Sequence, residues 1–552
     1  MARRAHVYPQ VDPGARGVVD VALAGARPTA RVGEALRLAR KYQAGVMALD
    51  RSTLVLREDL SRASALGLDD LPAAALARPL PRVDGRASEI SVRRRLAEGA
   101  PCVVVEERSK PIGAVSRGVL GPGGGATLSM AARVGRLPER VRSALAAVGA
   151  VAGALGARAF LVGGLVRDLW LAAPIARHDL DIVVEGDGLA VARALALALG
   201  GSVVEHARFL TASVEGRAWG RVDVATARSE RYEVPGALPR VMPATIGQDL
   251  RRRDFAVNAM AIELVSDGLG LLDPHGGRGD IARGRLRILH PLSFVEDPTR
   301  ILRAARYAAR FGWGQDAWTA RAQALALGLV PYGALSGQRI LAELERIVAE
   351  PSAPAALVRL GGTGAFRLLD ARYRFTRRTR GRIGELPRAW AWARARGLGL
   401  AGVELALVAL LGEQPPEVAL TALRRLAVTG DPLQRLARAL EGSRAGTGWL
   451  LEAAPRSEQA RRLRDRSPVE LGWLWLAGDG AARARLDWFV ADARDARSVL
   501  DGEELIALGV PRGPQVARVL GELRDRRLDG LAADRATAAD YVRGWVSTRK
   551  EG

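Results

Sequence analysis

The stretch "RHDLDIVVEG", residues 177–186, sets two carboxylates, Asp179 and Asp181, at the mouth of an apolar run. That run reads as a buried strand. On a strand, residues i and i+2 point to one face, so Asp179 and Asp181 share a face. Two carboxylates a few ångströms apart repel each other unless a cation sits between them. Oxygen ligands without a His or Cys cluster suit Mg²⁺, which takes carboxylates together with nucleotide phosphates. Surface strand ends carry Asp-x-Asp pairs too, so the surrounding sequence has to decide between a solvated strand end and half of a metal site.

Upstream, "VGGLVRD" (162–168) places Gly163 and Gly164 between a strand, "RAFLV", and a helix, "LVRDLWLA". Backbone N–H groups at such a turn can cradle a triphosphate, and Arg167 adds charge on the first helical turn. The order strand, Gly-Gly, helix, strand, helix ("GLAVARALALALGG"), strand ("SVVEH") indicates a small α/β domain. "GRVDVATA" (220–227) supplies a third carboxylate, Asp223, on another apolar strand. Further on, "DLRRRDFAVNAMAIEL" (249–264) brings Arg253, Asp254 and Asn258 together, with Asp254 and Asn258 at i and i+4 on one expected helix face. "LLDPHGGRGDI" follows, with Asp273 and a Gly276-Gly277 turn. "FVEDPTRILRAARYAARFGW" (294–313) then sets Asp297 and Arg300 at i and i+3, with Arg303, Arg306 and Arg310 beyond.

The chain of 552 residues is long enough for three to four domains, and 48% hydrophobic residues can fill several cores. A formal charge of +22, from 82 Lys+Arg against 60 Asp+Glu, gives a surface that attracts polyanions, and arginine forks match phosphate oxygens bidentately. Cys102 is the only cysteine, which excludes an intrachain disulfide and a multi-thiolate zinc site; the five histidines have no metal-ligand spacing. The N-terminus has no apolar signal region, and the most apolar stretch is interrupted by Arg193 and is too short to span a bilayer. The expectation is a cytoplasmic protein with no membrane partner.

Residues 1–27 read as a short arm, and 28–120 as a degenerate tandem repeat. "VGEALRLARKYQAGVMALDRSTLVLREDL" runs helix, strand, strand, and "ISVRRRLAEGAPCVVVEERSKPIGAVSRGVL" repeats that order. Arg57 and Arg117 occupy matching places, three residues before the closing leucine of each half. Two such halves can bury their sheet faces against each other. Residues 121–135 read as a flexible linker by composition, 136–265 as the α/β head, 266–360 as a helical neck, and 361–552 as a helical body and tail.

The repeat resembles a tandem pair of CBS domains, modules that often bind adenosine nucleotides between their halves. That resemblance implies an adenine nucleotide held by Thr29 and Asp59, and leaves open a dimer formed through the pair. Gly118 replaces the second half's expected Asp, which puts one of two sites in doubt. Over about 155–350 the ordered motifs resemble the class II tRNA nucleotidyltransferase/poly(A) polymerase family, with its polymerase β-like nucleotidyltransferase head. The implied fold is multidomain α+β: an α/β CBS pair, a small α/β head, and an all-helical neck, body and tail that hold tRNA.

By that resemblance, Asp179 and Asp181 bind two Mg²⁺ ions, with Asp223 as a third ligand. Gly163, Gly164, Arg167, Arg253 and Asp254 meet the triphosphate and ribose of ATP or CTP, and Asn258 selects a ribonucleotide. Asp297 and Arg300, with Arg303 beside them, read the base. A guanidinium only donates and a carboxylate only accepts. Side by side they match the amine and ring acceptor of cytosine or adenine, whereas uracil and guanine leave groups unpaired at about 1–3 kcal/mol each. The implied reaction adds AMP and/or CMP to the tRNA 3′ end, with poly(A) synthesis and a non-catalytic nucleotide-sensing RNA-binding protein as the alternatives. Leu210 departs from the family's Phe-Gly-Thr-Ala run, and no HD phosphohydrolase signature is present.

Overall fold

Two short sheets of one design open the chain. In the first, strand β1 (Leu23–Gly25) leads to helix α1 (Val32–Lys41), strands β2 (Val46–Ala48) and β3 (Leu54–Leu56), and helix α2 (Arg57–Ala65). In the second, β4 (Arg82–Asp84) leads to α3 (Glu89–Ala97), β5 (Cys102–Glu107) and β6 (Lys110–Ser116). In each, the first strand pairs parallel with the second, which pairs antiparallel with the third. Helix α1 buries Val32, Ala35, Leu36 and Ala39, the i, i+3, i+4, i+7 stripe of an amphipathic helix. Strand β5 alternates: Val103 and Val105 pack with Val92 and Leu96 of α3, while Cys102 and Val104 pack with Val46, Leu54 and Leu56 of the first sheet. The two halves therefore bury sheet faces against each other, as period-two geometry requires. The repeat begins earlier than expected: Leu23–Gly25, within the segment read as an arm, is its first strand. Three residues are too few to show alternation, so the strand is visible only through its pairing with β2.

The structure, a computed structural model, describes residues 14–120, 128–173, 180–216, 220–265 and 268–548. Asp179 lies outside the described residues. The chain divides into two compact units, Met1–Ser336 and Gly337–Gly552, so the expected neck, 266–360, is shared between them.

The head follows in the first unit. Its elements are β7 (Leu128–Ser129), α4 (Glu139–Ala154), β8 (Arg158–Val162), α5 (Gly164–Leu171), β9 (Leu180–Glu185), α6 (Gly188–Ala198), β10 (Ser202–His206), β11 (Thr211–Gly216), β12 (Gly220–Thr226), a small β13–β14 hairpin (Arg228–Arg231, Arg240–Pro243), α7 (Ile246–Arg251), β15 (Ala261–Glu263) and β16 (Gly270–Leu272). Eight of these strands form one sheet in the order β10-β11-β12-β9-β8-β15-β16-β7. Only β9 and β12 run parallel; each remaining neighbour pair is antiparallel. Strand β7, inside the segment read as a linker, forms the sheet edge on β16. Leu161, Ile182, Val183 and Val184 are nearly or fully buried, consistent with central strands covered on both faces. Helices α8 (Gly277–Ala282), α9 (Thr299–Phe311) and α10 (Ala317–Gly328) complete the unit. Repeat and head meet backbone to backbone: a side chain at Gly99 (φ +97°) would collide with His275 and Gly276, and one at Gly276 (φ +70°) with Glu98.

The second unit is helical from Gly337–Val348 to Arg535–Thr548, with no strand among its described residues. Its helix Pro468–Ala477 is buried almost all round and stacks Trp475 on Trp392 of the helix Arg377–Ala395, centroids 5.5 Å apart. The last helices close a small core of their own around Leu505, Val519, Leu523 and Val542. Among the described residues, no helix is long and apolar enough to cross a membrane.

Candidate active site

Parallel pairing of β9 and β12 puts Asp223 directly opposite Asp181. Paired residues on neighbouring strands project to the same face, so these carboxylates sit side by side. Asp181 is exposed. Asp223 is held by Ser213, whose Oγ donates at 2.6 Å, and by Arg221, whose Nε donates at 2.9 Å. The Gly-Gly turn comes up against Asp181. Gly163 has φ +77°, a left-handed backbone that only glycine adopts without strain, and starts α5. A Cβ there would lie 3.2 Å from Asp181 Oδ2 and 3.7 Å from Arg253 Nη1. The turn, the Asp181 carboxylate and the Arg253 guanidinium thus converge on one spot. Gly164 faces Arg167.

Arg253 is aimed by a residue outside the expected set. Asp249 is fully buried and accepts from Arg253 Nη2 at 2.9 Å, from Arg252 Nη2 at 2.6 Å, and from the Arg228 backbone at 3.3 Å. Burial pushes its carboxyl up, but the Arg253 and Arg252 guanidiniums more than offset this and hold it below the usual range. Its i, i+3 and i+4 spacing to the two arginines is the signal in the sequence that identifies it.

The expected helical turn over Asp254–Asn258 is absent. Helix α7 stops at Arg251, and Ala256–Asn258 is a 3₁₀ turn. The two side chains still meet, because the tighter turn brings Asn258 Nδ2 to 3.1 Å from Asp254 Oδ1. Asn258 Oδ1 in turn accepts from Arg167 Nη1 at 2.8 Å. Arg167 is 2% exposed, donates to Asp168 at 2.8 Å, and lies over the Phe311 ring, 4.7 Å from its centroid. It therefore ties α5 to the 254–258 turn and to α9.

The chain of contacts continues into α9. Arg303 forms ion pairs with Asp254 at 3.3 Å and with Asp297 at 3.1 Å. Asp297 Oδ1 accepts from the Thr299 backbone and hydroxyl. Arg300, 4% exposed, donates to Ser293 Oγ and to the Arg252 carbonyl, both at 2.7 Å. Its Nε has no hydrogen-bond partner and lies 4.0 Å from Asp297 Oδ2. A donor and an acceptor stand side by side.

Of the two residues expected to hold a ligand in the repeat, one is buried and the other exposed. Asp59 is fully buried and receives both arms of the Arg78 fork, and Thr29 is exposed on a turn.

The profile described as the Poly A polymerase head domain matches residues 159–287, which span β8 to just before the Asp297 segment. The chain is 35% identical over 378 residues to a CC-adding tRNA nucleotidyltransferase of Deinococcus radiodurans, covering 67% of this chain and 84% of that one. It is 33% identical over 410 residues to an A-adding tRNA nucleotidyltransferase of Geobacter sulfurreducens, covering 72% of this chain but 46% of that one. The chain thus spans less than half the length of the A-adding relatives it matches. A solved structure of the Thermotoga maritima CCA-adding enzyme complexed with tRNA superposes with a TM-score of 0.64 at 27% identity, over 76% of this chain and 99% of that one.

Proposed function

The chain belongs to the tRNA nucleotidyltransferase and poly(A) polymerase family, and from that premise we propose that it adds AMP, CMP or both to the 3′ end of tRNA. The observation that carries this is the side-by-side donor and acceptor of Arg300 Nε and Asp297 Oδ2, fixed by Thr299, Ser293 and Arg303. Cytosine and adenine both offer an exocyclic amine beside a ring acceptor, so one protein edge accepts either and rejects uracil and guanine.

The substrates are ATP and CTP. The Gly163-Gly164 turn and Arg253 receive the triphosphate, and Asp254 and Asn258 meet the ribose. The RNA 3′-oxygen attacks the α-phosphorus, and the bond to the β-phosphate oxygen breaks to release pyrophosphate. Asp181 and Asp223 offer only oxygen atoms on one face of adjacent strands, a donor set that fits Mg²⁺; with Asp179 they would hold two such ions. Mg²⁺ bound there supplies charge that favours the 3′-alkoxide and stabilises the leaving pyrophosphate. The protein's own part is positioning: Asp249 aims Arg253, and Arg167 and Asn258 lock the glycine turn to the ribose pocket.

The helical second unit, with its arginine-rich surface, holds the tRNA body. The N-terminal repeat is a CBS pair, supported by its parallel-then-antiparallel sheets in both halves, and the protein acts in the cytoplasm. The test is incubation of the full chain, Mg²⁺ and labelled ATP or CTP with tRNA ending before the CCA, after C, or after CC. Label on one or more of these ends, lost in Asp181→Ala while tRNA binding persists, is the expected result. Long homopolymeric products would identify a poly(A) polymerase, and no label on any end would leave a non-catalytic RNA-binding protein.

A further inference from the structure

The Asp297–Arg300 pair stands on a turn that the N-terminal repeat grips. The short helix Ser293–Glu296 ends at Asp297 and carries Ser293, whose Oγ accepts from Arg300 at 2.7 Å. The placement of this helix therefore sets both members of the pair. Helix α2 of the repeat reaches the segment through Asp59 and Arg62, at i and i+3 on one face. Asp59 accepts from Arg78 Nη2 at 2.7 Å, and Arg78 Nη1 donates to the Leu289 carbonyl at 2.9 Å. Arg62 Nη1 donates directly to Glu296 Oε1 at 2.7 Å. One helix of the repeat thus holds both ends of the segment 289–296, and its direct link ends on the residue that precedes Asp297.

Glu296 depends on that link. It is 3% exposed, and Arg62 is its hydrogen-bonding partner; His290 Nε2 stands 3.4 Å away without making a hydrogen bond. Burial holds the His290 imidazole well below its usual range, so it carries no charge to offset Glu296. Burial also pushes the Glu296 carboxyl up, and the cations that oppose this are Arg62 first and Arg300 second. Removing one partner of a buried ion pair leaves the other charge uncompensated, which is strongly destabilising. Without Arg62 the next cation acting on Glu296 is Arg300, so Glu296 would compete with Asp297 for that guanidinium. Arg62 has no other charged partner: among the described residues it forms no second ion pair, and its Nε has no hydrogen-bond partner.

We propose that Arg62 is a positioning residue for base recognition: by pairing with Glu296 it fixes the turn from Ser293 to Asp297 and leaves Arg300 to Asp297 and the incoming base. Resting on the base-reading role of Asp297 and Arg300, this makes the N-terminal repeat a structural part of nucleotide selection.

The test is the ratio of kcat/KM for the preferred nucleotide, ATP or CTP, to that for UTP, measured with the full chain on the tRNA end that it extends. Misfolding lowers the active fraction, and so both rates by one factor, without moving the ratio. In Arg62→Met, which keeps an unbranched apolar stem, the ratio is expected to fall at least about tenfold. In the Glu296→Gln background, where no charge needs a partner, adding Arg62→Met should change the ratio by less than about threefold. A ratio unchanged in Arg62→Met, or an equal fall in both backgrounds, overturns the positioning role. Asp297→Ala and Arg300→Ala separate that outcome from failure of the base reading. Discrimination lost in these two but kept in Arg62→Met overturns the role of Arg62 alone. Discrimination kept in both, or a wild-type chain that labels no tRNA end, overturns the base reading and the role of Arg62 with it.

Discussion

Leu210 sits in the left-handed region, φ +55° and ψ +42°, where a side chain crowds its own carbonyl. It caps the short 3₁₀ turn before β11, and its carbonyl accepts from the Thr226 N–H at 2.9 Å, just beyond Asp223 on β12. The conformation explains why the related Phe-Gly-Thr-Ala run carries glycine here: the turn demands a positive φ, and glycine supplies it without strain. The leucine side chain is only half-buried, so little packing compensates. Leu210→Gly should relieve about 1–2 kcal/mol of strain and return part of it as unfolded-chain entropy, a net gain of up to about 1 kcal/mol. Hydrogen exchange of the β11 and β12 amides would read this as slower opening, by up to about fivefold. Faster opening would mean that the leucine packs usefully. At this scale the sequence was an effective guide. The spacing that puts Asp297 near Arg300 and Asp254 near Asn258 is fixed by local chain geometry, and it brings the side chains together even where 3₁₀ replaces the expected α-helix. Asp223 was identifiable as a carboxylate on an apolar strand, but its place opposite Asp181 depends on a parallel pairing between distant segments, which no local pattern encodes.

Among elements, the site is held by one buried cation. Arg167 projects from α5, bonds Asn258 in the 254–258 turn, and lies on Phe311 of α9. From sequence, an arginine on the first turn of a helix that follows two glycines reads as a phosphate ligand. Its 2% exposure and its contacts with Asp168, Asn258 and Phe311 come from tertiary packing, which periodicity does not reveal. Arg167→Lys keeps the charge but loses the planar fork and the stacking. It leaves Asn258 Oδ1 without its donor, and such a buried loss costs about 1–3 kcal/mol. The expected consequence is that amides of β8 and α5 exchange about 5- to 150-fold faster, while those of the helices from Gly337 onward are unchanged. Equal acceleration in both units would show a global effect instead of a local tie. The first strand of the repeat and edge strand β7 were missed for a related reason: two- and three-residue strands are defined by partners, not by composition.

For the whole molecule, the charge excess legible in the composition is partly directed inward, to the seam where repeat and head meet, and this gives stability a defined pH dependence. His275 and His290 are held neutral there, mainly by burial and further by surrounding arginines; His275 is depressed to about 3, and His290 lies well below its usual range. In the unfolded chain each histidine titrates near 6.5. Between these values the unfolded state binds protons that the folded state does not, so stability falls as pH drops below about 6.5 and is fully recovered above it. The maximum slope is about 1.4 kcal/mol per pH unit for each histidine. Carboxylates held low by arginines, such as Asp249 and Glu58, add a loss in the same direction, but only as pH falls through the carboxylate range. Asp59, Asp280 and Glu296, raised by burial, act in the opposite sense and gain stability as pH falls, so across the window from about pH 6.5 to 5 the difference between the wild-type chain and a histidine variant, rather than the wild-type slope alone, reports the histidine. Urea midpoints of the first unit should be followed through that window in the wild-type chain and in His275→Gln. His275→Gln, which cannot titrate, should decline with a slope shallower by up to about 1.4 kcal/mol per pH unit. Parallel slopes for the two proteins would mean that His275 accepts its proton in the folded state, and the seam would then be less cationic than its arginines imply.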